Sequence, residues 1–168
     1  MIRFLKEDEY GRTRALNDLC FPDEEFSAAY YDDGIVKKSR IAVKEIGGEI
    51  VSEAHAAPRK LWYRDPDGRP YSVEVPYIFC VATHPAYRHR GYMDEVLKLM
   101  LDVLREDGAP FAFLVPVDPA IYRHLGFVHD WTFGGEEAEL LYADDGLTEC
   151  SAKLLCAAEF RKPERITL

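Results

Sequence analysis

Residues 81–93 read VATHPAYRHRGYM, and this segment determines how the rest of the chain is interpreted. An apolar strand ends at Thr83, a proline turns the chain, a basic loop follows, and Gly91 opens a long helix. The first N–H groups of a helix lack an internal partner and lie at the positive end of its dipole. Gly91 lets the backbone approach an anion closely, while Arg88 and Arg90 add positive charge. The segment predicts a pyrophosphate cradle; a solvated basic loop is the competing interpretation.

The sequence on either side of this segment predicts a mixture of strands and helices. Two extended runs, Arg40–Ile46 and Glu49–Ala57, flank Gly47-Gly48, and a two-glycine link of this kind favours a tight hairpin. Gly91–Glu106 carries the wide apolar stripe of an amphipathic helix. The other predicted strands are Met1–Leu5, Leu61–Tyr63, Tyr71–Val75, Val75–Thr83, Phe111–Val115, Phe127–Phe133 and Ala138–Tyr142, and the other predicted helices are Asp8–Cys20, Glu24–Tyr31 and Pro119–Leu125. This order predicts an α/β or α+β fold, a sheet with helices packed on it.

Length and composition predict one domain that covers residues 1–168. Within it, residues 142–168 form a C-terminal extension whose pattern is compatible with either a strand or a helix. The formal net charge of −9 disfavours nucleic acid and anionic membrane surfaces as partners. No apolar run is long enough for a membrane span, and the charged N-terminus does not resemble a signal peptide.

The four cysteines predict a cytoplasmic protein with reduced thiols. Cys20, Cys80, Cys150 and Cys156 form no C-x-x-C pair, and the histidines show no ligand spacing relative to them. Buried, unpaired cysteines are typical of proteins from a reducing compartment. We therefore expect no metal site.

The basic loop resembles the acetyl-CoA loop of the GNAT N-acetyltransferases, whose pattern is Arg/Gln-x-x-Gly-x-Gly/Ala. The chain has Arg88, Gly91 and Met93 at the three defined positions, so the last one departs from the pattern. Together with LVPVDPAIYRHLGF at residues 114–127, the sequence is most similar to the Eis-like branch of the family. That branch tolerates a residue larger than glycine or alanine at the last position of the loop pattern. The resemblance covers residues 1–142. It implies a central, mixed, mostly antiparallel sheet with helices on both faces and a splay between two central strands, Ile78–Thr83 and Phe111–Val115.

The resemblance also implies acetyl-CoA as the cosubstrate, with no metal. The end of the central strand would pair with the pantetheine arm, and one of its N–H groups would stabilise the oxyanion that forms on the thioester carbonyl. The loop and the helix start would hold the pyrophosphate, and two further residues would line the cofactor near its sulfur. The residues so implied are Val81, Ala82, Thr83, Arg88, His89, Arg90, Gly91, Tyr92, Met93, Asp94, Asp118 and Ile121.

Tyr122 is the catalytic residue that the resemblance implies. It lies in the sequence Tyr122-Arg-His-Leu-Gly126-Phe127, and the matching GNAT tyrosine protonates the departing thiolate. The chemistry is reasonable, since an unperturbed phenol (pKa ~10) is neutral at pH 7 and holds a proton to donate. The alternative role for a tyrosine beside Gly-Phe is packing alone.

The sequence leaves the general base open. Four side chains are candidates: Glu53, His55, Glu74 and His84. Water relayed to bulk solvent is an equal alternative. An acyl-enzyme on Cys80 is disfavoured, because a thiol within an apolar run has a raised pKa.

These observations predict an acetyl-CoA-dependent N-acetyltransferase in which an amine of a small molecule attacks the thioester directly. The partners expected are the amine acceptor and, by analogy with related enzymes, a second copy in a homodimer. The alternative is a non-catalytic acyl-CoA sensor or regulatory module on the same fold. Fold similarity alone does not identify the acceptor.

Overall fold

The computed structural model describes residues 1–64, 70–129, 139–143 and 156–159. Its α-helices are α1 (Arg14–Cys20), α2 (Glu24–Ser27) and α3 (Tyr92–Glu106). Its strands are β1 (Ile2–Phe4), β2 (Arg40–Ile46), β3 (Glu49–Arg64), β4 (Pro70–Thr83), β5 (Phe111–Leu114), β6 (Val128–His129), β7 (Glu139–Ala143) and β8 (Cys156–Glu159). Short 3-10 turns and one π-helical turn, Ala28–Asp32, join them. No helix among the described residues is long and apolar enough to cross a membrane.

The described chain falls into two compact units. The first comprises Met1–Ala57 and Ile78–Asp102, and the second Pro58–Tyr77 and Val103–Leu168. β3, β4 and α3 each pass from one unit into the other. In the first unit the strands lie in the order β1-β2-β3-β4. In the second the order is β4-β5-β8-β6, and β7 pairs with β3.

The sheet is mixed and mostly antiparallel, which confirms the predicted fold class. β1 pairs with β2, β2 with β3, and β8 with both β5 and β6, all antiparallel. The pairing of β4 with β5 is parallel, with Tyr77 opposite Phe113. The hairpin predicted at Gly47-Gly48 is present, because φ is +62° and +85° at the two glycines, as a tight turn between twisted strands requires.

The first unit contains the core on which the site is built. Ile41 and Val43 of β2 are fully buried and pack with Leu16 of α1, Tyr30 and Ala82.

In β5, which belongs to the second unit, all four residues are buried, so both faces of that strand are covered. A strand covered on both faces has a continuous apolar sequence, which is why FAFL was identifiable before its partners were known.

Several predicted elements differ from the structure. The helix predicted over Asp8–Cys20 begins as a 3-10 turn, Glu7–Thr13, and becomes α-helical only at Arg14. The helix predicted over Pro119–Leu125 is instead two 3-10 turns, Pro119–Ile121 and Arg123–Leu125. The backbone bonds here span three residues, from the Tyr122 N–H to the Pro119 carbonyl and from the Leu125 N–H to the Tyr122 carbonyl, and Gly126 with φ of +91° ends the second turn. Residues 130–133 of the predicted strand Phe127–Phe133 lie outside the described residues. Of the tail, 156–159 is a strand, and the rest lies outside them.

Candidate active site

The loop between β4 and α3 is closed by its own hydrogen bonds. After β4 ends at Thr83, a 3-10 turn forms over Pro85–Tyr87. His84 caps this turn, since its ring Nδ1 accepts a hydrogen bond from the Ala86 N–H at 3.2 Å. The His84 N–H donates to the carbonyl of Val51 at 2.9 Å, so the turn is also fixed to β3.

Both arginines of the loop are exposed and bind to its backbone. Arg88 Nε donates to the Thr83 carbonyl at 3.1 Å, and an Nη of Arg90 donates to the Ala86 carbonyl at 3.2 Å. The Arg90 guanidinium lies over the ring of Tyr87, 5.3 Å from its centroid. A guanidinium has five N–H donors, so each arginine retains donors for an anion after making this contact.

Gly91 forms the junction between the loop and α3. Its φ is +77°, a left-handed conformation that favours glycine, and His89 two residues earlier has φ of +60°. The Gly91 carbonyl accepts a hydrogen bond from the Glu95 N–H at 3.1 Å, so the helical bonding starts there. A Cβ at Gly91 would meet no atom within 4 Å, so open space adjoins the helix start. The first turn, which includes Tyr92, Met93 and Asp94, thus has the geometry of a helical anion site.

Lys44 lies beside the start of α3, a position that the sequence alone does not indicate. It lies on β2, yet its Nζ is 2.6 Å from Glu95 Oε2 and 4.8 Å from the centroid of the Tyr92 ring. It therefore places another cation beside the start of α3. Only the position of β2 relative to α3 could have indicated this, and local sequence patterns do not contain that information.

Three side chains hold the last two carbonyl groups of β4. The Ser52 hydroxyl donates to the Ala82 carbonyl at 3.0 Å and lies 2.8 Å from the Thr83 hydroxyl. The Cys20 thiol reaches the Thr83 carbonyl at 3.8 Å, and Arg88 donates to the same oxygen. These bonds fix the orientation of the peptide groups at the strand end, while Val81 remains half-buried.

Cys80 is not suited to act as a nucleophile. Burial raises the pKa of its thiol to about 12, in the direction that the sequence predicts, so little thiolate exists at neutral pH. Its backbone has φ of +47°, an uncommon conformation for a residue other than glycine. The strand is therefore locally distorted three residues before its end.

The remaining predicted residues lie in the second unit. Asp118 caps a 3-10 turn, because its Oδ1 accepts a hydrogen bond from the Ala120 N–H at 2.9 Å. Ile121 ends that turn and is 44% exposed. Tyr122 stands between the two 3-10 turns, and its ring packs edge-on against Phe127 at 5.9 Å. The structure thus brings Val81–Asp94 together in the first unit and these three residues together in the second.

The four candidate bases have different surroundings. Glu53 and His55 are fully buried on the same face of β3, with His55 Nε2 3.9 Å from Glu53 Oε2. Glu74 is exposed in the second unit, and His84 is occupied in capping the loop. Only Glu53 and His55 form a buried pair among these candidates.

A cleft of about 440 Å³ lies in the first unit beside the loop. It is formed by α1 and the turn before it, the β2–β3 hairpin, and the residue that follows β4. The residues that line it are Arg12, Ala15, Leu16, Leu19, Gly48, Glu49, Ile50 and His84. An apolar floor with a few polar groups is typical of a site for a small organic ligand.

Comparisons with solved structures identify the fold. Eis1 from Mycobacterium abscessus is 21% identical and has a TM-score of 0.62, over 76% of this chain and 31% of its own. A GNAT family acetyltransferase from Brucella melitensis, in complex with acetyl-CoA, is 18% identical with a TM-score of 0.63, over 84% of this chain and 94% of its own. YhbS from Escherichia coli, in complex with CoA, is 18% identical with a TM-score of 0.66, over 95% and 81%. The chain spans about a third of the length of Eis1 and of other large relatives that it matches.

The sequence comparisons give the family. No curated protein matches the chain. A family model described as an acetyltransferase (GNAT) domain matches residues 1–129, which include β1 to β6 and the whole loop between β4 and α3. This agrees with the resemblance that Arg88–Met93 and Tyr122–Phe127 carry in the sequence. The chain therefore belongs to the GNAT acetyltransferase family.

Proposed function

We propose that this chain transfers the acetyl group of acetyl-CoA to an amine of a small molecule. The single observation that carries the proposal is the junction at Gly91, where a left-handed glycine, a helix start and two loop arginines combine in one anion site. Such an arrangement suits a pyrophosphate. The binding of acetyl-CoA by the Brucella melitensis protein and of CoA by YhbS supports the choice of cosubstrate.

In this proposal the loop and α3 hold the cofactor by its phosphates. Arg88 and Arg90 bind the charge at the rim, and the N–H groups of the first turn of α3 bind phosphate oxygens. Met93 is half-buried, and it contributes its backbone N–H rather than its side chain. His89, Tyr92 and Asp94 shape the same turn.

The reaction is a direct acyl transfer. The thioester supplies an electrophilic carbonyl carbon when acetyl-CoA is bound. The amine forms a C–N bond to that carbon and the C–S bond breaks, while a backbone N–H from Val81–Thr83 stabilises the negative charge on the oxygen. Tyr122 donates its phenolic proton to the departing thiolate, and the attacking nitrogen loses a proton as the amide forms. Asp118 and Ile121 line the cofactor near Tyr122. No acyl-enzyme is involved, consistent with the raised pKa of Cys80.

The acceptor is a small molecule with a primary amine. The cleft beside His84 has the size and the mixed lining of a site for such a ligand. Its polar groups include Arg12 and Glu49, and a carboxylate there suits a cationic acceptor. We place the reaction in the cytoplasm, because Cys20 and Cys80 are free thiols.

The alternative is a sensor that binds acyl-CoA without turnover. Met93, at the position where the GNAT pattern has glycine or alanine, is the observation that favours it. The two functions differ in the role of Tyr122, since a sensor has no use for a proton donor at the sulfur.

Calorimetric titration with acetyl-CoA, and with free CoA for comparison, tests the proposal. We expect saturable binding at one site for both ligands. Release of CoA thiol is then measured with a panel of amines: ethylamine, 2,2,2-trifluoroethylamine, benzylamine and spermidine. Turnover with any of them supports the enzyme, whereas binding without turnover supports the sensor. No binding at millimolar ligand contradicts both.

A further inference from the structure

The first unit contains a buried polar cluster that the proposed reaction has not yet used. Glu53 and His55 are two residues apart on β3, so they share a face, and both are fully buried. In the pairing of β2 with β3, Val43 is opposite Glu53 and Ile41 is opposite His55. These two partners belong to the apolar core, so a carboxylate and an imidazole point into a region that is otherwise apolar.

Several polar atoms of this cluster have no hydrogen-bond partner among the described residues. They are both carboxylate oxygens of Glu53, Nε2 of His55 and both side-chain amide atoms of Asn17. Buried polar groups are almost always paired in folded proteins, because an unpaired group costs stability. Five such atoms on three fully buried side chains are not explained by the fold. They are typical of a site that binds a polar group or exchanges a proton during function.

The other end of the cluster is a continuous chain of hydrogen bonds. His55 Nδ1 is 2.8 Å from the Tyr30 hydroxyl, which is 2.8 Å from the Ser39 hydroxyl. If Nδ1–H donates to Tyr30 and Tyr30 donates to Ser39, the lone pair of His55 Nε2 faces Glu53. A protonated Glu53 then has an acceptor on His55, 3.9 Å away in this structure. We name these four residues the Glu53 relay.

The Glu53 relay adjoins the end of β4. Glu53 follows Ser52, whose hydroxyl holds the Ala82 carbonyl. The Phe79 ring packs edge-on against both Tyr30 and His55, at 5.6 and 5.7 Å. Ala82, in the segment that carries the proposed oxyanion donor, packs in the same core cluster as Tyr30 and as the residues opposite Glu53 and His55. The relay and that segment therefore share one part of the first unit.

We propose that Glu53 is the general base that takes the proton from the acceptor's ammonium group. This assignment rests on the proposed function and extends it. The N–H bond of the ammonium breaks as an O–H bond forms on Glu53, and the freed lone pair attacks the thioester carbon. The C–S bond breaks and the thiolate takes its proton from Tyr122. The nitrogen loses a second proton as the amide forms, and a proton from solvent restores the Tyr122 phenol. His55 and Tyr30 are positioning residues: His55 accepts a hydrogen bond from protonated Glu53, and Tyr30 fixes the tautomer of His55. Glu53 returns its proton to solvent before the next turnover.

The charges around Glu53 determine the pH range in which it works. Burial raises the pKa of the Glu53 carboxyl, and the charge of Asp18 adds to that rise, while His55 and Asn17 oppose it. The other titratable groups that face it are Cys20 on α1, Tyr30 and Tyr31 on the π-helical turn, and Cys80 on β4. All four have raised pKa values, mainly from burial, so they stay neutral near pH 7. With Glu53 as the base, we expect the acid limb of the pH profile to report the loss of the Glu53 proton.

The test compares Glu53→Gln with Glu45→Gln, a matched change on the neighbouring strand β2. The profile of kcat/KM against pH is recorded with the most reactive alkylamine of the panel. For Glu53→Gln we expect kcat to fall about 100-fold, the KM for acetyl-CoA to stay within about twofold, and the acid limb to disappear. Trifluoroethylamine is largely unprotonated at neutral pH, so with this amine the kcat of Glu53→Gln should fall by no more than about tenfold. Glu45→Gln should retain the kcat and the acid limb of the wild type.

Other outcomes would overturn the assignment. An acid limb that persists in Glu53→Gln, or an equal loss with protonated and unprotonated amines, excludes Glu53 as the base while the proposed function stands. Wild-type protein that binds acetyl-CoA but acetylates no amine removes the proposed function, and the assignment with it. If Glu53→Gln does not fold, the variant Tyr30→Phe is measured instead. We expect the acid limb of the Tyr30→Phe profile to shift, with less than about a tenfold change in the plateau kcat. An unchanged profile for Tyr30→Phe then overturns the relay.

Discussion

The Ser52 hydroxyl donates a hydrogen bond of 3.0 Å to the Ala82 carbonyl from a fully buried position on β3. Ser52→Ala leaves that carbonyl without its side-chain partner, so we expect the free energy of unfolding to fall by about 1–3 kcal/mol. Urea denaturation measures the change. Ser27→Ala is the control, since the Ser27 hydroxyl is buried without a hydrogen-bond partner in the described part of the chain. A similar loss in both variants would show that the Ser52 bond contributes nothing specific.

Because the backbone of Gly91 is left-handed, we expect substitution by alanine to be more destabilising at Gly91 than at Gly11. Gly91→Ala forces a Cβ into a conformation with φ of +77° and should lower the free energy of unfolding by about 1 kcal/mol. Gly11 also has open space around it, but its φ lies outside the left-handed range. Gly11→Ala should therefore be neutral or slightly stabilising in the same denaturation experiment. Equal behaviour of the two variants would contradict the role assigned to the Gly91 conformation.

Charge reversal in the loop should weaken cofactor binding. Arg90→Glu replaces the proposed phosphate-binding donor with a repulsive carboxylate, so we expect the Kd for acetyl-CoA to rise about tenfold or more at low salt, and less at high salt. Calorimetric titration at two ionic strengths measures this. Lys98→Glu makes the same charge change on an exposed position of α3 and should leave the Kd nearly unchanged. If both variants respond alike, only net charge matters and the loop does not hold phosphate.

Removing the Tyr122 hydroxyl tests its role in catalysis separately from the binding of acetyl-CoA. Tyr122→Phe keeps the ring that packs against Phe127 and removes the proposed proton donor, so we expect kcat to fall about 100-fold with an unchanged Kd for acetyl-CoA. Thiol release and calorimetry measure the two quantities. Tyr10→Phe, in the first unit, controls for loss of a hydroxyl in general. Full turnover by Tyr122→Phe would leave Tyr122 with a packing role alone.

An ion-pair network at the start of the chain predicts acid sensitivity. Hydrogen bonds from Arg3 and Arg12 hold the pKa of Glu45 below its usual value, and Arg3 with the Lys6 N–H lowers the pKa of Glu9 to about 2. These carboxyls bind protons more weakly in the folded than in the unfolded state. Their stabilising effect is therefore fully present above the ordinary value of 4.5 and is lost as the pH falls toward about 2.

Glu45→Gln measures this effect. We expect a loss of about 1 kcal/mol in the free energy of unfolding at neutral pH, since partial exposure of both arginines screens the pairs. The difference in unfolding free energy between variant and wild type should disappear at acid pH, where the carboxyl is protonated in both the folded and the unfolded state. Glu49→Gln, at the exposed hairpin, should show no such difference at any pH. A difference for Glu45→Gln that is independent of pH would assign the loss to packing instead.

The elements that the sequence predicts best are those whose signals are local. Gly47-Gly48 and the amphipathic stripe of α3 depend on residues a few positions apart, and both are present in the structure. The full length of β3 was not predictable, because Pro58 interrupts the pattern and the pairing of Leu61 with Ala143 is far apart in sequence. Ser52, Glu53 and His55 are polar or titratable residues, yet all three are fully buried. Burial on both faces depends on helices contributed by distant segments, and for the same reason Lys44 was missed.

The hydrogen bonds within the loop bear on the thermodynamics of cofactor binding. His84 and Arg90 bond to the backbone of Ala86, and Arg88 bonds to the Thr83 carbonyl at the end of β4, so the shape of the loop is set without a ligand. A flexible phosphate-binding segment loses conformational entropy when its ligand arrives, and that loss is subtracted from the affinity. Here most of it is incurred when the chain folds. If the loop binds acetyl-CoA as proposed, we expect its association to be governed by desolvation of the phosphates and the guanidinium groups rather than by ordering of the loop.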